Sequence, residues 1–468
     1  MTVRFEKPNI IFIMADDMGY GDVGCYGSVK IQTPHMDRLA SEGMRFTDAH
    51  SSSAVCTPSR YSVLTGRYCW RTSLKKWVLW GFEPPLIEPQ RQTVAALLKK
   101  HGYATAAIGK WHLGLGWTTL DGNLPLADGT NVDYQAKIHG GPRQLGFDTN
   151  FNITGSLDMA PYCFIEDDHV FKEPTIEKYP YHPQQRSGLM SPGWQDDQVD
   201  LIFTEKAVAF IDQHASHDRD QPFFLYLTPS APHRPCEPPD FIHGRSQAGL
   251  RGDMVALVDW MVGQIDDALR RHGMVENTLM IVTSDNGARV TDFYGNDYGH
   301  KSCGNLRGQK ADIWDGGHRE PLIARWPGII KPGSTSDGLV CLSDLMATCA
   351  EILDIPLQEN TAEDSFSFLP ALHGELGECL SRKMIVHHSG DGMFSIRDGK
   401  WKLIQGCGSG GFTEPQRVDP EAGEPQGQLY NMQDDIQETC NLWAVEPQIV
   451  ERLTALLTDL MIKGNSRF

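Results

Sequence analysis

Nowhere in these 468 residues is there an apolar run long enough to cross a membrane. The longest, Asn9 to Ala15 and Leu279 to Val282, are the size of core strands, so no membrane span is expected. Positive charge is scarce as well. Lys and Arg number 42 against 60 Asp and Glu, a formal net charge of -18, which argues against a nucleic-acid partner with its usual basic footprint. An anionic ligand would have to be met by local cations and a metal, because the field of the whole chain is negative. The eleven cysteines lack the paired spacing of a zinc site or disulfide scaffold. Cys341 and Cys349 flank a helical pattern and read as apolar filler. Internal repeats and low-complexity tracts are missing. No secretory signal precedes Lys7-Pro8-Asn9. The expected location is periplasmic or extracellular if a leader has been removed, with the cytoplasm as the other reading.

What the chain does have is length for one large core plus a smaller unit. Asn9 to Ala15 is continuous, isoleucine-rich and strand-sized, as a strand buried on both faces of a parallel sheet would be. It stops at Asp16-Asp17. Ligands of open α/β sheets bind beyond the carboxyl ends of the strands, where two adjacent carboxylates make a good cation site. Thr278 to Ser284 is a second such strand and delivers Asp285-Asn286. Together the two ends offer four hard oxygen ligands, a set suited to Ca²⁺ or Mg²⁺ rather than zinc.

Between them lies Ser53-Ala54-Val55-Cys56-Thr57-Pro58-Ser59-Arg60, followed by Leu64-Thr65-Gly66-Arg67. Pro58 suits a first helical turn. Cys56 then sits at a helix N-terminus, which favours negative charge, and Arg60 points to the same place one turn on. A strand from Ala104 to Ile108 leads to Gly109-Lys110-Trp111-His112. On an extended segment Lys110 and His112 would point the same way, a cation and an imidazole aimed together. Phe223 to Leu227 ends near Ala231-Pro232-His233-Arg234-Pro235, where two prolines stiffen the backbone around His233. The turn-rich stretch from Thr118 to Pro192 reads as binding loops, in which Asp167, Asp168 and His169 belong either to a substrate pocket or to an exposed acidic loop.

Cys-x-Pro-Ser-Arg with Leu-Thr-Gly-Arg resembles the signature of the type I sulfatases, the arylsulfatase family of the alkaline phosphatase superfamily. Gly109 to Gly114 looks like that family's second signature, and Trp314 to Pro321 resembles its Gly-Gly-x-Arg-Glu-Pro run. The resemblance implies that Cys56 is oxidised to formylglycine, an aldehyde whose hydrate attacks the sulfate ester while bound to one Ca²⁺ (or Mg²⁺) with Asp16, Asp17, Asp285 and Asn286. Relatives with phosphatase chemistry carry a histidine in place of Asn286 and hold a second metal, so Asn286 points to a single hard cation. The resemblance further implies that Asp285 assists deprotonation and that Lys110, Lys310 and Arg60 surround the sulfate. His233, alone or with Lys310, protonates the leaving alcohol, and His112 takes the proton that expels sulfate. Ser156 is the matching sulfate-binding serine.

The expected fold is α/β, a large mixed and mostly parallel sheet sandwiched by helices. Residues 1-365 form the catalytic domain, and residues 366-468 form a smaller α+β subdomain with an antiparallel sheet and a closing helix from Pro447 to Lys463. Gly81 to Ile87 and Ile313 to His318 resemble bacterial polysaccharide sulfatases. The expected activity is exo-acting removal of sulfate from galactose or N-acetylgalactosamine of a glycan, the 6-position ahead of the 4-position. Asp297, His300 and Arg307 are the candidate sugar contacts. A formylglycine-generating enzyme or radical maturase is the implied biosynthetic partner. The alternatives are a phosphonate monoester or phosphodiester hydrolase of the same superfamily, and an inactive glycan-binding relative.

Overall fold

The isoleucine-rich run near the start of the chain lies at the centre of a ten-stranded sheet. The computed structural model describes residues 7–291, 295–375 and 382–467. Its strands are β1 (Asn9–Ala15), β2 (Met44–Phe46), β3 (Ala49–His50), β4 (Ala104–Lys110), β5 (Thr149–Ile153), β6 (Ile165–Glu166), β7 (His169–Val170), β8 (Ile176–Lys178), β9 (Gly188–Met190), β10 (Phe223–Thr228), β11 (Thr278–Ser284), β12 (Leu322–Arg325), β13 (Ser334–Ser336), β14 (Val340–Cys341), β15 (Met384–His388), β16 (Phe394–Asp398), β17 (Trp401–Ile404) and β18 (Gln428–Asn431). Its helices are α1 (Pro34–Glu42), α2 (Cys56–Thr65), α3 (Val94–Lys100), α4 (Val199–His217), α5 (Gly249–Arg271), α6 (Leu345–Ile352), α7 (Leu369–Leu372) and α8 (Pro447–Lys463).

The large sheet runs β13-β2-β12-β11-β1-β10-β4-β5-β6-β7. The five central strands from β11 to β5 are mutually parallel, whereas β12 is antiparallel to β11 and β6 to β5. This is the mixed, mostly parallel sheet that the sequence predicts. Alternate residues of β1 feed two cores. Ile10, Phe12 and Met14 meet Tyr61 and Leu64 of α2, Leu97 and Leu98 of α3 and Met346 of α6. Ile11, Ile13 and Ala15 meet Leu39 of α1, Phe203 of α4 and Val258 and Val262 of α5. Helices on both faces leave β1 no solvent side, which is why its sequence does not alternate.

The register fixes the site. Ala15 pairs with Ser284 at the last rung of the β1–β11 ladder, so Asp16 and Asp285 leave the sheet at one level. Beyond the large sheet, β15-β16-β17-β18 form an antiparallel meander. Leu453, Leu457 and Leu460 of α8 pack with Ile385, Ile396 and Leu403 of that sheet. The polar stretch from Gln358 to Gly377, read as a domain boundary, runs partly into residues outside the described ones.

Candidate active site

Helix α2 begins at Cys56, with Val55 in extended backbone as its N-cap. Cys56 is 1% exposed. Its Sγ lies 3.3 Å from Asp16 Oδ1, 3.9 Å from Asp17 Oδ1 and 3.4 Å from Lys310 Nζ. Burial first, and then the charge of Asp285, push its thiol well above the ordinary value. A thiolate nucleophile is therefore disfavoured here, despite the helix N-terminus.

Around the sulfur, acids and bases alternate. Lys110 Nζ donates to Asp16 Oδ2 at 2.6 Å, and Lys310 Nζ to Asp17 Oδ2 at 2.8 Å. Arg60 donates to Asp285 Oδ2 from Nε (3.0 Å) and Nη2 (2.7 Å), while its Nη1 donates to the Lys110 carbonyl at 3.0 Å. All of these side chains are buried. Burial alone would raise Asp16, but Lys110, His233 and Arg60 overcome it and hold that carboxyl well below the usual range. Asp17 is lowered in the same way, chiefly by Lys310. At Asp285 burial wins over Arg60, and its carboxyl is raised. Asp17 has φ 70°, a left-handed backbone that turns its side chain back beside Asp16.

The residues fit a single hard cation. The ligand atoms of Asp16, Asp17, Cys56 and His233 lie within 4.8 Å of one another. Asp285 Oδ1 accepts from Asp17 N at 3.2 Å, and Asn286 Nδ2 donates to Asp17 Oδ1 at 2.7 Å. The Asn286 Oδ1 is buried without a hydrogen-bond partner. A buried acceptor left over beside three carboxylates is the donor chemistry of an oxygen-ligated divalent ion.

The two histidines differ. His112 is 2% exposed. The chain does not stay extended through it as expected, for β4 ends at Lys110 and His112 takes φ 56°. Its Nε2 is 2.8 Å from the Leu79 carbonyl, so that nitrogen carries the proton. Nδ1 is left buried and unpartnered, and burial followed by the charge of Lys110 holds the ring well below its usual value. His233 sits at the rim. Its Nδ1 is 2.7 Å from the Arg234 carbonyl, and its Nε2 is 3.8 Å from Asp17 Oδ2. Ser156 is buried with an unpartnered Oγ, next to Gly155, which lies against the His112 ring.

The three candidate sugar contacts fall elsewhere. Above the cluster opens a cleft of about 430 Å³ with the buried Asp17 and Lys310 at its floor and His233, Arg234, Arg289 and Phe412 around it. None of Asp297, His300 and Arg307 lines it. His300 binds Asp22 at 2.8 Å, and Arg307 donates to Tyr430 Oη and the Glu438 carbonyl while stacking on Trp314 at 3.7 Å. Asp297 closes its own loop by accepting from Gly299 N at 2.8 Å. Asp167 and Asp168 pair with Arg143 (3.1 Å) and Lys137 (3.0 Å), the acidic-loop alternative. Conversely, Arg186, Arg234 and Arg289 line the cleft although none had been singled out. Each is an isolated arginine in a loop, and only the arrangement in space gathers them.

Comparison with known proteins agrees with this geometry. The Sulfatase family model matches residues 8–355. An N-acetylgalactosamine-6-O-sulfatase of Bacteroides thetaiotaomicron is 34% identical over 97% of this chain and 93% of its own. Human arylsulfatase A is 32% identical over 96% of this chain and 87% of its own. A solved 6S sulfatase structure from the glycosaminoglycan-metabolism locus of Bacteroides thetaiotaomicron superposes with a TM-score of 0.84 at 31% identity, covering 98% of this chain and all of the other. With its buried cysteine at a helix start, the carboxylates gathered around it and these likenesses, the chain belongs to the sulfatase family and is a sulfuric ester hydrolase.

Proposed function

We propose that the enzyme removes sulfate from a galactose or N-acetylgalactosamine residue of a glycan, exo-acting and with the 6-position ahead of the 4-position. The nucleophile is formylglycine derived from Cys56, and the metal is one Ca²⁺, with Mg²⁺ as the substitute. The observation that carries the reading is the position of the Cys56 sulfur. It is enclosed between two aspartates and Lys310 under a cationic cleft, and burial holds its thiol above the ordinary range. The similarity to an N-acetylgalactosamine-6-O-sulfatase along nearly the whole chain supports the sugar and the position. Residues 1-365 are proposed as the catalytic domain and residues 366-468 as the subdomain. A formylglycine-generating enzyme or radical maturase is the proposed partner, and the proposed location is periplasmic or extracellular, with the cytoplasm as the other reading.

Sulfate-ester hydrolysis requires positioning and charge stabilisation more than covalent ingenuity. Asp16, Asp17, Asp285, Asn286 and residue 56 would hold the cation, whose contribution is to neutralise sulfate oxygens and acidify a hydroxyl at position 56. Three carboxylates face three permanent cations, Arg60, Lys110 and Lys310, so the side chains alone cancel. Lys310 aims its ammonium at the sulfur position, where the anionic group must arrive. Arg60 holds Asp285 by two bonds and keeps one of its oxygens facing Asp17. His233 and His112 divide the proton transfers. The Arg234 carbonyl requires a proton on His233 Nδ1, so as an acid the ring is an imidazolium with Nε2–H directed towards Asp17 and the leaving oxygen. The Leu79 carbonyl fixes His112 in the opposite sense, neutral, with its Nδ1 lone pair available as the base. The metal-site asparagine favours this reading over the phosphonate and phosphodiester alternative, and the completeness of the acid, base and ligand set favours it over a binding-only relative.

Sulfate release from matched 6-O- and 4-O-sulfated galactosides and N-acetylgalactosaminides, with a phosphonate monoester alongside, tests the reading. Preferred release from a 6-O-sulfated sugar, absent in Cys56→Ala, is expected. Turnover of the phosphonate alone would sink it.

A further inference from the structure

The cleft wall carries an arginine that the chemistry above leaves without a role. Arg289 follows Asn286 by three residues, just past the end of β11, and shares the cleft with Asp17, His233, Arg234 and Lys310. Its Nη1 donates to the neutral Gln309 Oε1 at 3.1 Å, and its guanidinium lies 4.4 Å from the centre of the Phe412 ring. Phe412 stacks in turn on Trp77 at 5.8 Å. Gln309 is itself aimed by a bond from Nε2 to Thr413 Oγ1 at 3.2 Å.

No carboxylate among the described residues forms an ion pair with Arg289. The two acids nearest in effect, Asp17 and Asp312, are already engaged. Asp17 is held by Lys310 and Asn286, and Asp312 accepts from the backbone of Gln309, Phe412 and Thr413. Burial and the neighbouring charge of Arg234 both lower the Arg289 pKa from its usual value. A half-buried guanidinium that stands beside a second cation and meets only an amide and a ring among the described residues is costly to keep unless an anion completes it. The scissile sulfate already has Lys110 and Lys310 at the floor. Arg289 and Arg234 stand on the side of His233, where the departing alcohol and the rest of its sugar must lie.

We propose that Arg289, with Arg234 beside it, binds a second anionic group of the substrate, a carboxylate or a further sulfate. The favoured substrate is then an oligosaccharide carrying at least two negative charges, with Phe412 and Trp77 as the aromatic backing of that subsite. This inference rests on the sulfated-glycan reading above.

The test uses the mature enzyme and three substrates: N-acetylgalactosamine 6-sulfate, the same sugar linked to a hexuronate, and the same sugar carrying an additional 4-sulfate. The wild type should favour one doubly charged substrate over the monosulfated sugar by about tenfold or more in kcat/KM. Which one it favours names the second anion. Arg289→Gln should collapse that ratio by about tenfold, mainly through KM, and Arg289→Lys should restore part of it. Equal losses on all three substrates would assign Arg289 to the scissile sulfate and overturn the proposal, and so would a wild type with no preference. Circular dichroism of the variants excludes misfolding as the cause. Silence of the wild type on all three would overturn the glycan reading and this inference with it, whereas turnover without preference overturns only the inference.

Discussion

Two regions of this molecule bury charge, and they do opposite things with it. Beneath the C-terminal sheet, Lys402 reaches both Asp315 and Glu438 at 2.8 Å, all three side chains fully buried. Arg319 adds a second contact to Asp315 at 3.2 Å. Burial, only partly offset by Lys402, pushes Glu438 up to about 7. Beside them His50, His318 and His387 bring ring nitrogens close together. Yet His318 and His387 stack at 3.8 Å with planes 14° apart, so their in-plane lone pairs run parallel rather than converge. Lys402 Nζ also stands 3.3 Å from His318 Nε2. That network pairs its charges internally, leaving His387 Nε2 buried without a partner, and ties β17 and the Glu438 loop to the large domain. At the catalytic cluster the same residue types leave an unpartnered Asn286 oxygen, an unpartnered His112 nitrogen and an open cleft. A buried polar network whose charges are paired internally holds elements together, whereas one that opens on a cleft is placed to bind.

The comparison can be broken at either end. The largest effect expected is at residue 56: Cys56→Ala and Cys56→Ser should both lose sulfate release altogether while circular dichroism and melting stay native. Full activity in either variant would remove the cysteine from the chemistry. Next comes the cation. A strong chelator should suppress turnover and added Ca²⁺ restore it, because Asp16, Asp17 and Asp285 without the ion only cancel their lysines and arginine. An enzyme indifferent to chelation would leave the open network without its proposed ligand. Third, Lys402→Met should strand Asp315 and Glu438 and cost about 3–5 kcal/mol in urea unfolding. Activity per folded molecule should persist, and a loss there would blur the division between the two regions.

The sequence made the scaffold of this comparison legible and its details less so. β1, β11 and α8 begin and end where apolar runs, Asp pairs and proline say they should. Asp16, Asp17, Cys56, Arg60 and Asp285 converge because two parallel strands share a register and one helix starts beside them. His112 escaped the extended pattern because a single left-handed residue redirects the chain, and period-two reasoning has no term for that. Asp297, His300 and Arg307 failed as cleft residues for another reason: loop residues carry no periodicity that says which way they face. Arg289 was missed on the same ground.

The smallest expected effect concerns the buried Asp22–Arg251 pair, next to Asp17 of the catalytic cluster. Burial would raise Asp22, but Arg251, with a hydrogen bond from His300, lowers it to about 2. Its stabilisation is therefore complete above the unfolded carboxylate value near 4 and is lost as pH falls through about 2. The contribution is on the order of 2 kcal/mol. Urea midpoints measured from pH 5 down to pH 2 should fall more steeply for the wild type than for Asp22→Asn, and parallel curves would show that Asp22 is not a source of acid sensitivity.

Cys56 being 1% exposed has a consequence in time as well as in space. With helix α2 buried along its whole length against the sheet, another enzyme cannot bring its own active site to that side chain once the chain has closed. If residue 56 is converted, conversion has to come before folding, and the two processes race. Chains that fold first would keep an unconverted cysteine and lack the proposed nucleophile. The specific activity of a preparation then measures who won that race, and slowing folding or enriching the modifying enzyme should raise it without altering a single contact in the finished protein.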